Sequence, residues 1–223
     1  FLGALYAGAT TVLMKEYEPR EFLTLVEKER CTIFFGAPIA YLMPLQVVKD
    51  FDSFDLSSMR AWLYGGGPID SETAKLLSQK YKSDRFYQVY GMTETGPTGT
   101  ALYPEEQQSK AGSIGKLAVN GCDMRVVSPN GEDTKPGEVG EIWLRAQSMM
   151  LGYYKLEEAS KEAVQDGWYR SGDLVRMDED GYLFLVDRMK DMIVTGGENV
   201  YSKEVEDVVI NCPGVQEVAV IGI

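Results

Sequence analysis

DGWYRSGDLVRMDEDGYLFLVDRMKDMIVTGGENVYSKEVE, residues Asp166 to Glu206, is the stretch on which the reading of this chain turns. Two strand-like runs, Leu174 to Met177 and Tyr182 to Val186, flank the turn-forming Asp178-Glu179-Asp180-Gly181 and together predict a hairpin. Asp173 stands before the first run and Arg188 after the second. Closing the hairpin brings those ends together, so that a carboxylate and a guanidinium converge on one ligand. After Arg188 the character changes to Lys190-Asp191, a short apolar run, Gly196-Gly197 and a helix start near Ser202. That pattern predicts a hinge followed by a second, smaller domain.

Outward from this stretch the chain divides by periodicity. Upstream, helix and strand alternate. A helix runs from Pro19 to Arg30 with Phe22, Leu23, Leu25 and Val26 as its apolar stripe, followed by a strand from Thr32 to Phe35. A second helix, Pro38 to about Lys49, turns Ile39, Leu42, Met43 and Leu45 inward. A strand from Ala61 to Tyr64 breaks at Gly65-Gly66-Gly67-Pro68, and Asp70 or Ser71 caps a helix to about Tyr81 carrying Ala74, Leu76 and Leu77. Phe86 to Tyr90 is the next strand, and the alternation predicts an α/β layer with a mainly parallel sheet. From about Gly96 the pattern becomes short strands, Arg125 to Val127 and Ile142 to Arg145, with turn-rich pieces between them. With the hairpin they predict a small β-rich unit, sheet or barrel. Past the hinge come a strand, the Gly-Gly turn, a helix from Lys203 to about Ile210, and a strand from Val215 to Ile221. No repeat or low-complexity segment interrupts the chain.

Bulk properties bound the function. With 223 residues, 44% of them apolar, the chain can bury a core in one or two domains. Its 34 acidic residues against 22 basic ones, net charge -12, argue against nucleic acid as a partner. No apolar run approaches the roughly 18 to 20 residues of a membrane span, which leaves only peripheral association open. FLGALYAGATTVL at the start lacks a charged n-region, so it reads as a buried segment rather than a signal peptide. Cys31, Cys122 and Cys212 are widely spaced and odd in number, so neither a disulfide framework nor a zinc site follows; a reducing, cytoplasmic setting is the expectation. Histidine is absent, which excludes a Ser-His-Asp triad and a histidine base within this chain.

Some residue types carry chemistry in their own right. An ionised carboxylate such as Asp173 accepts from both hydroxyls of a ribose, although an isolated SGD is equally a surface turn. Glycines between a strand and a helix, as at Gly65 to Gly67, allow close backbone approach to a flat ligand and equally serve a plain turn. In Thr93-Glu94 a hydroxyl can donate to a phosphate oxygen and a carboxylate can ligate Mg²⁺, or the pair is an ordinary loop.

YRSGDL, DRMKDMI and GGENVYSKEVE, with YGGGP at Tyr64 to Pro68 and YGMTETG at Tyr90 to Gly96 upstream, resemble core motifs of the adenylate-forming superfamily. The match is to its acyl-CoA synthetase, or fatty-acid–CoA ligase, branch, and it spans almost the whole chain. The resemblance implies an ATP-dependent, AMP-forming ligase that converts a carboxylic acid to acyl-AMP and passes it to CoA. It assigns Asp173 to the ribose hydroxyls with Arg188 beside it, and Gly65, Gly66, Gly67 and Pro68 to the adenine and acyl pockets. Tyr90 stacks on the base, with Gln88 and Gly91 in the same nucleotide site. Thr93 touches the phosphate, Glu94 holds Mg²⁺, Gly196 and Gly197 border the pantetheine tunnel, and Lys190 is the hinge. At Ser202 the family commonly has proline; serine is a reasonable cap there. Met149, Met150, Tyr153 and Tyr154 are read as packing.

By the same resemblance a phosphate-binding loop lies upstream of Phe1 and a catalytic lysine downstream of Ile223. The chain then reads as a fragment that lacks turnover alone. Residues 1–104 form part of the large α/β AMP-binding domain, 105–187 its β-rich subdomain, and 188–223 the hinge and start of the small α+β C-terminal domain. A carrier-protein acceptor and a non-catalytic nucleotide-binding domain remain as alternatives, with DRMKDMI and GGENVY favouring CoA. A dinucleotide oxidoreductase is disfavoured, since no GxGxxG follows a strand.

Overall fold

A computed structural model describes residues 2–67, 69–210, 212–215 and 217–222, the side chain of Leu2 excepted. The chain forms two compact units, Phe1–Tyr87 and Gln88–Ile223.

The first unit opens with a short helix, α1 (Leu2–Tyr6). Helix α2 (Pro19–Lys28) starts where proline's fixed φ suits the first turn, and the Glu18 carboxylate accepts from the backbone N–H of Arg20 and Glu21. Strand β1 (Ile33–Gly36), helix α3 (Pro38–Val47), strand β2 (Ala61–Tyr64) and helix α4 (Ser71–Lys80) follow, with Asp70 capping α4 through Thr73 N–H at 2.9 Å. Strands β1 and β2 pair in parallel, Ile33 opposite Ala61 and Gly36 opposite Tyr64. The core is aromatic: the Tyr41 ring lies 5.4 to 6.4 Å from those of Phe34, Phe86, Tyr81, Trp62 and Tyr64.

Three expectations need correction here. On α3 the buried positions are Tyr41 and Pro44, while Ile39 faces outward, because the largest ring claims the centre. Leu76 of α4 is likewise exposed beside buried Ala74 and Leu77. The opening apolar stretch is not buried: Leu5, Tyr6 and Leu13 are exposed, for the described residues supply no surface that covers them.

Strand β3 (Phe86–Gly91) leads the chain into the second unit and pairs antiparallel with β4 (Gly99–Leu102), Gln88 opposite Leu102. After a one-turn helix, α5 (Gln107–Lys110), come β5 (Cys122–Val127) and β6 (Val139–Ala146). Helix α6 (Glu157–Ala163), β7 (Val164–Gln165), β8 (Trp168–Met177) and β9 (Leu183–Arg188) complete an antiparallel five-stranded sheet. It is a sheet and no closed barrel among the described residues. Ile142 and Leu144 face inward and Arg145 outward, the alternation expected of β6. Ile114, Val126, Ile142, Leu144, Val175 and Leu183 form the core.

Strand β8 changes neighbours along its length. One edge follows β6, while the other pairs with β7 at Trp168 and Tyr169 and with β9 from Asp173 onward. The Asp178–Gly181 turn closes the predicted hairpin: the Asp178 carboxylate accepts from Asp180 and Tyr182 N–H, and Asp173 pairs with Arg188. Beyond it, β10 (Ile193–Thr195) and β11 (Glu198–Val200) form a second hairpin, then α7 (Ser202–Val209). Residues 215 and 217–222 form no strand, and residue 216 of the expected strand lies outside the described residues. No helix among the described residues is long and apolar enough to cross a membrane.

Candidate nucleotide and metal site

Where β8 passes from β7 to β9, Ser171-Gly172 lies between the two pairings and Asp173 opens the second. Its position is set by a buried carboxylate on β6. Glu141 Oε1 accepts Gly172 N–H at 2.9 Å, and Oε2 accepts Trp143 Nε1 at 2.7 Å and Arg170 Nε and Nη2 at 3.2 Å each. Gly172 has φ +72°, where a side chain would be strained, and Ser171 Oγ donates to Ile142 O at 2.6 Å. These bonds present Asp173, itself 6% exposed, at the end of the β8–β9 pairing.

Asp173 meets Arg188, as the hairpin reading expects, and also Tyr90. Its Oδ2 accepts from Tyr90 Oη at 2.8 Å, and its Oδ1 lies 3.5 Å from Arg188 Nε. Burial pushes the Asp173 acid up from the usual carboxylate range; the Tyr90 bond and Arg188 oppose that shift, and Glu141 adds to it. Burial, followed by the charge of Asp173, drives the Tyr90 hydroxyl far above its ordinary value, so it remains a donor. A carboxylate has about four acceptor positions. Asp173 therefore keeps room for a pair of vicinal hydroxyls beside its protein partners. The Tyr90 ring packs against the sheet core, and Gln88, two residues earlier, is buried. Gly91 has a packing cause: a Cβ there would stand 2.7 Å from Pro97 O.

Thr93 and Glu94 open a single 3-10 turn, Thr93–Thr95. Thr93 is exposed. Glu94 is half-buried, and its Oε1 accepts from Tyr153 Oη at 2.9 Å. Among the described residues no three His, Cys, Asp or Glu side chains cluster as a metal cage. Mg²⁺ is typically held by one or two carboxylates together with substrate phosphates and water. Glu94 fits such an ion through Oε2.

The remaining candidates lie apart by element. Gly65, Gly66 and Gly67 follow β2 in the first unit; Gly66 has φ +74°, a turn only glycine makes without strain. Pro68 lies outside the described residues. Gly196 and Gly197 are the exposed two-residue loop of the β10–β11 hairpin, both with positive φ, the backbone form such short loops favour. Lys190 is exposed in the turn after β9, where Asp191 and Met192 N–H both reach Arg188 O at 3.0 Å.

Three residues escaped the sequence reading. Glu141 gave no signal because alternation does not show two neighbouring inward residues; the irregularity between Glu141 and Trp143 creates them. Tyr153 was counted as packing and is a donor to Glu94, while Tyr154 is exposed. Asp187 accepts from Ser202 N–H at 2.5 Å and from its hydroxyl at 3.0 and 3.1 Å, so a β9 carboxylate caps α7. The departure from proline at 202 was visible, but its partner was not.

Comparison with known proteins identifies the family. A feruloyl-CoA synthase of an Amycolatopsis species is 40% identical over 222 residues, 100% of this chain and 44% of the relative. The long-chain-fatty-acid–CoA ligase FadD13 of Mycobacterium tuberculosis is 37% identical over 216 residues, 97% of this chain and 42% of the relative. The o-succinylbenzoate-CoA synthetase of Bacillus subtilis, solved with its acyl-adenylate intermediate, superposes with a TM-score of 0.89 at 31% identity. It covers 100% of this chain and 44% of that one. The same enzyme has been solved with ATP and a magnesium ion, TM-score 0.88 at 30% identity, covering 100% of this chain and 45% of that one. The chain thus spans less than half the length of the curated relatives it matches. A family model described as AMP-binding enzyme matches residues 1–154, and the chain belongs to that family.

Proposed function

We propose that the protein carrying this chain is an ATP-dependent, AMP-forming acid–thiol ligase. A carboxylate attacks the α-phosphorus of ATP, giving acyl-AMP and pyrophosphate. The thiol of CoA then takes the acyl group and releases AMP. The observation that carries this reading is the convergence of Tyr90, Asp173 and Arg188, built by β3, β8 and β9 on a site with no histidine.

The roles divide by chemistry. Asp173 accepts the two ribose hydroxyls, with Arg188 beside it, Tyr90 and Gln88 serve the base, and Gly65, Gly66 and Gly67 keep the role their glycine motif implies. Thr93 donates to a phosphate oxygen. A divalent cation bound at Glu94 supplies charge neutralisation at the phosphates. Gly196 and Gly197 border the path of the thiol, and Lys190 is the pivot of residues 188–223. The 223 residues alone bind nucleotide without completing turnover, in keeping with their share of the relatives' length. Free cysteines fit a reducing cytoplasm. The acid is a fatty acid, as in the Mycobacterium ligase; the 40% identity to a feruloyl-CoA synthase makes an aryl acid the second reading.

The test is Asp173→Ala in the full-length protein, with pyrophosphate exchange and thioester formation measured separately over fatty and aryl acids. Losing a charged acceptor should cost on the order of 2–3 kcal/mol in kcat/KM for ATP. An unchanged value rejects the ribose assignment. Absence of exchange in the unsubstituted protein rejects the ligase.

A further inference from the structure

The segment 147–156, between β6 and α6, holds the Thr93–Thr95 turn from one side. Met150 N–H donates to Glu94 O at 2.8 Å, Ser148 Oγ to Thr95 O at 2.7 Å, and Tyr153 Oη to Glu94 Oε1 at 2.9 Å. The fit is close: a Cβ at Gly96 would stand 2.4 Å from Ser148 O. The segment is anchored in turn. Tyr153 N–H donates to Ser160 Oγ at 2.8 Å, that hydroxyl donates to Leu156 O at 2.8 Å, and a Cβ at Gly152 would meet it at 3.0 Å. Glu94 is thus fixed at its backbone and at one carboxylate oxygen by the same short strap.

We infer that Tyr153 is the positioning residue of Glu94, a role that rests on the metal-holding assignment of Glu94 proposed above. A free glutamate side chain samples many rotamers, and ordering it on binding opposes the ligand. With Oε1 committed to the phenol, the carboxylate is pre-set and Oε2 is the oxygen left to ligate a divalent cation. Outer hydrogen bonds to ligating carboxylates act this way in metal sites generally. The phenol donates along a single direction, to Oε1 at 2.9 Å. Tyr154, its exposed neighbour, takes no part.

The experiment measures binding of Mn²⁺ to the ATP complex of the full-length protein by electron paramagnetic resonance, and of metal-free ATP by calorimetry in EDTA. Tyr153→Phe is expected to raise the half-saturating Mn²⁺ concentration about tenfold, the scale of an outer hydrogen bond to a metal ligand, with metal-free ATP affinity unchanged. In turnover the same variant requires more Mg²⁺ but regains its kcat at saturating cation. Tyr154→Phe leaves all of these unaltered. Ser160→Ala, which loosens the strap but keeps phenol and carboxylate, shifts the Mn²⁺ constant in the same direction by less; it carries the test if the phenylalanine variant does not fold. Wild-type Mn²⁺ binding in both variants overturns the proposal, as does an equal loss of ATP affinity with and without the cation. Glu94→Gln separates the two levels: if it binds Mn²⁺ and ATP like the unsubstituted protein, the metal assignment itself fails.

Discussion

Each unit has a buried hub, and the two hubs work by different physics. Tyr41, wholly buried in the first unit, is surrounded by rings, and its hydroxyl donates to Leu63 O at 2.6 Å. Glu141, 5% exposed in the second, is a carboxylate surrounded by donors. Ring packing is broadly non-directional and grows with the apolar area removed from water. A buried carboxylate is tolerated only when its oxygens are satisfied, so it dictates where the donors stand. The first unit is held by surface burial. In the second, a polar network sets the position of Asp173. Substitution at the two hubs should therefore separate loss of stability from loss of geometry.

The largest effect belongs to the aromatic hub. Tyr41→Ala empties the centre of the cluster and is expected to cost about 4 kcal/mol in denaturant unfolding of the first unit, as truncation of a buried ring does. Tyr41→Phe keeps the ring and loses one hydrogen bond, about 1 kcal/mol. A similar loss in both variants would mean that the hydroxyl, not the ring, holds this core. Glu141→Ala comes next. It strands Gly172 N–H, Trp143 Nε1 and the part-exposed Arg170, at about 2–3 kcal/mol. Unlike Tyr41→Phe, it should also impair ATP use in the full-length protein, because Asp173 loses its placement. An Glu141→Ala protein with normal kcat/KM for ATP at saturating stability would break the comparison, and would make Glu141 a packing residue.

The contrast also explains what could be read from sequence. Local signals were legible where one residue's chemistry decides the outcome. Asp178 folds its own turn, Asp70 caps α4, and Gly196-Gly197 suits only a tight loop. The pairing of Asp173 with Arg188 followed from the hairpin register. Partners distant in sequence were not legible. Nothing around Tyr153 announces Glu94, 59 residues away, and nothing around Ser202 announces Asp187. The inward face of α3 was misjudged because hydropathy ranks Ile39 above Tyr41, while volume and the Leu63 bond decide burial.

Asp173 allows the comparison to be sharpened by pH. Its acid is raised in the folded chain, so the native state holds a proton that the unfolded chain has released between the ordinary aspartate value and the raised one. Stability contributed by that proton is present at low pH and is lost as pH rises through the folded value. At neutral pH the charged Asp173 should then cost stability. Asp173→Asn, which still accepts from Tyr90, should unfold at a higher temperature than the unsubstituted protein at pH 7. The gain should vanish below the ordinary aspartate range, while ATP use falls. A midpoint that drops at pH 7 would show that Arg188 and Tyr90 outweigh the cost of burial.

The smallest effect is expected at the cap of α7. Asp187 accepts from the N–H and hydroxyl of Ser202 and from Arg188 N–H, so one β9 carboxylate serves both the strand end and the start of α7. A negative charge at a helix N-terminus is favoured by the dipole as well as by the orphan N–H groups. Ser202→Pro removes both donors from residue 202. It also brings a compensation, since proline is well suited to the first helical position and restricts the unfolded chain. Loss of a cap costs about 1 kcal/mol and up to about 2, and the proline gain is about 0.4–1, so the net loss should stay near 1 kcal/mol or below. The loss should be confined to α7. Amide exchange in the full-length protein should speed up in Ser202–Val209 while β8 and β9 keep their protection. Ser202→Ala, which retains the N–H, should fall between the two. If exchange accelerates in β9 as well, Asp187 is holding the strand through the helix, and β9 and α7 form one cooperative unit.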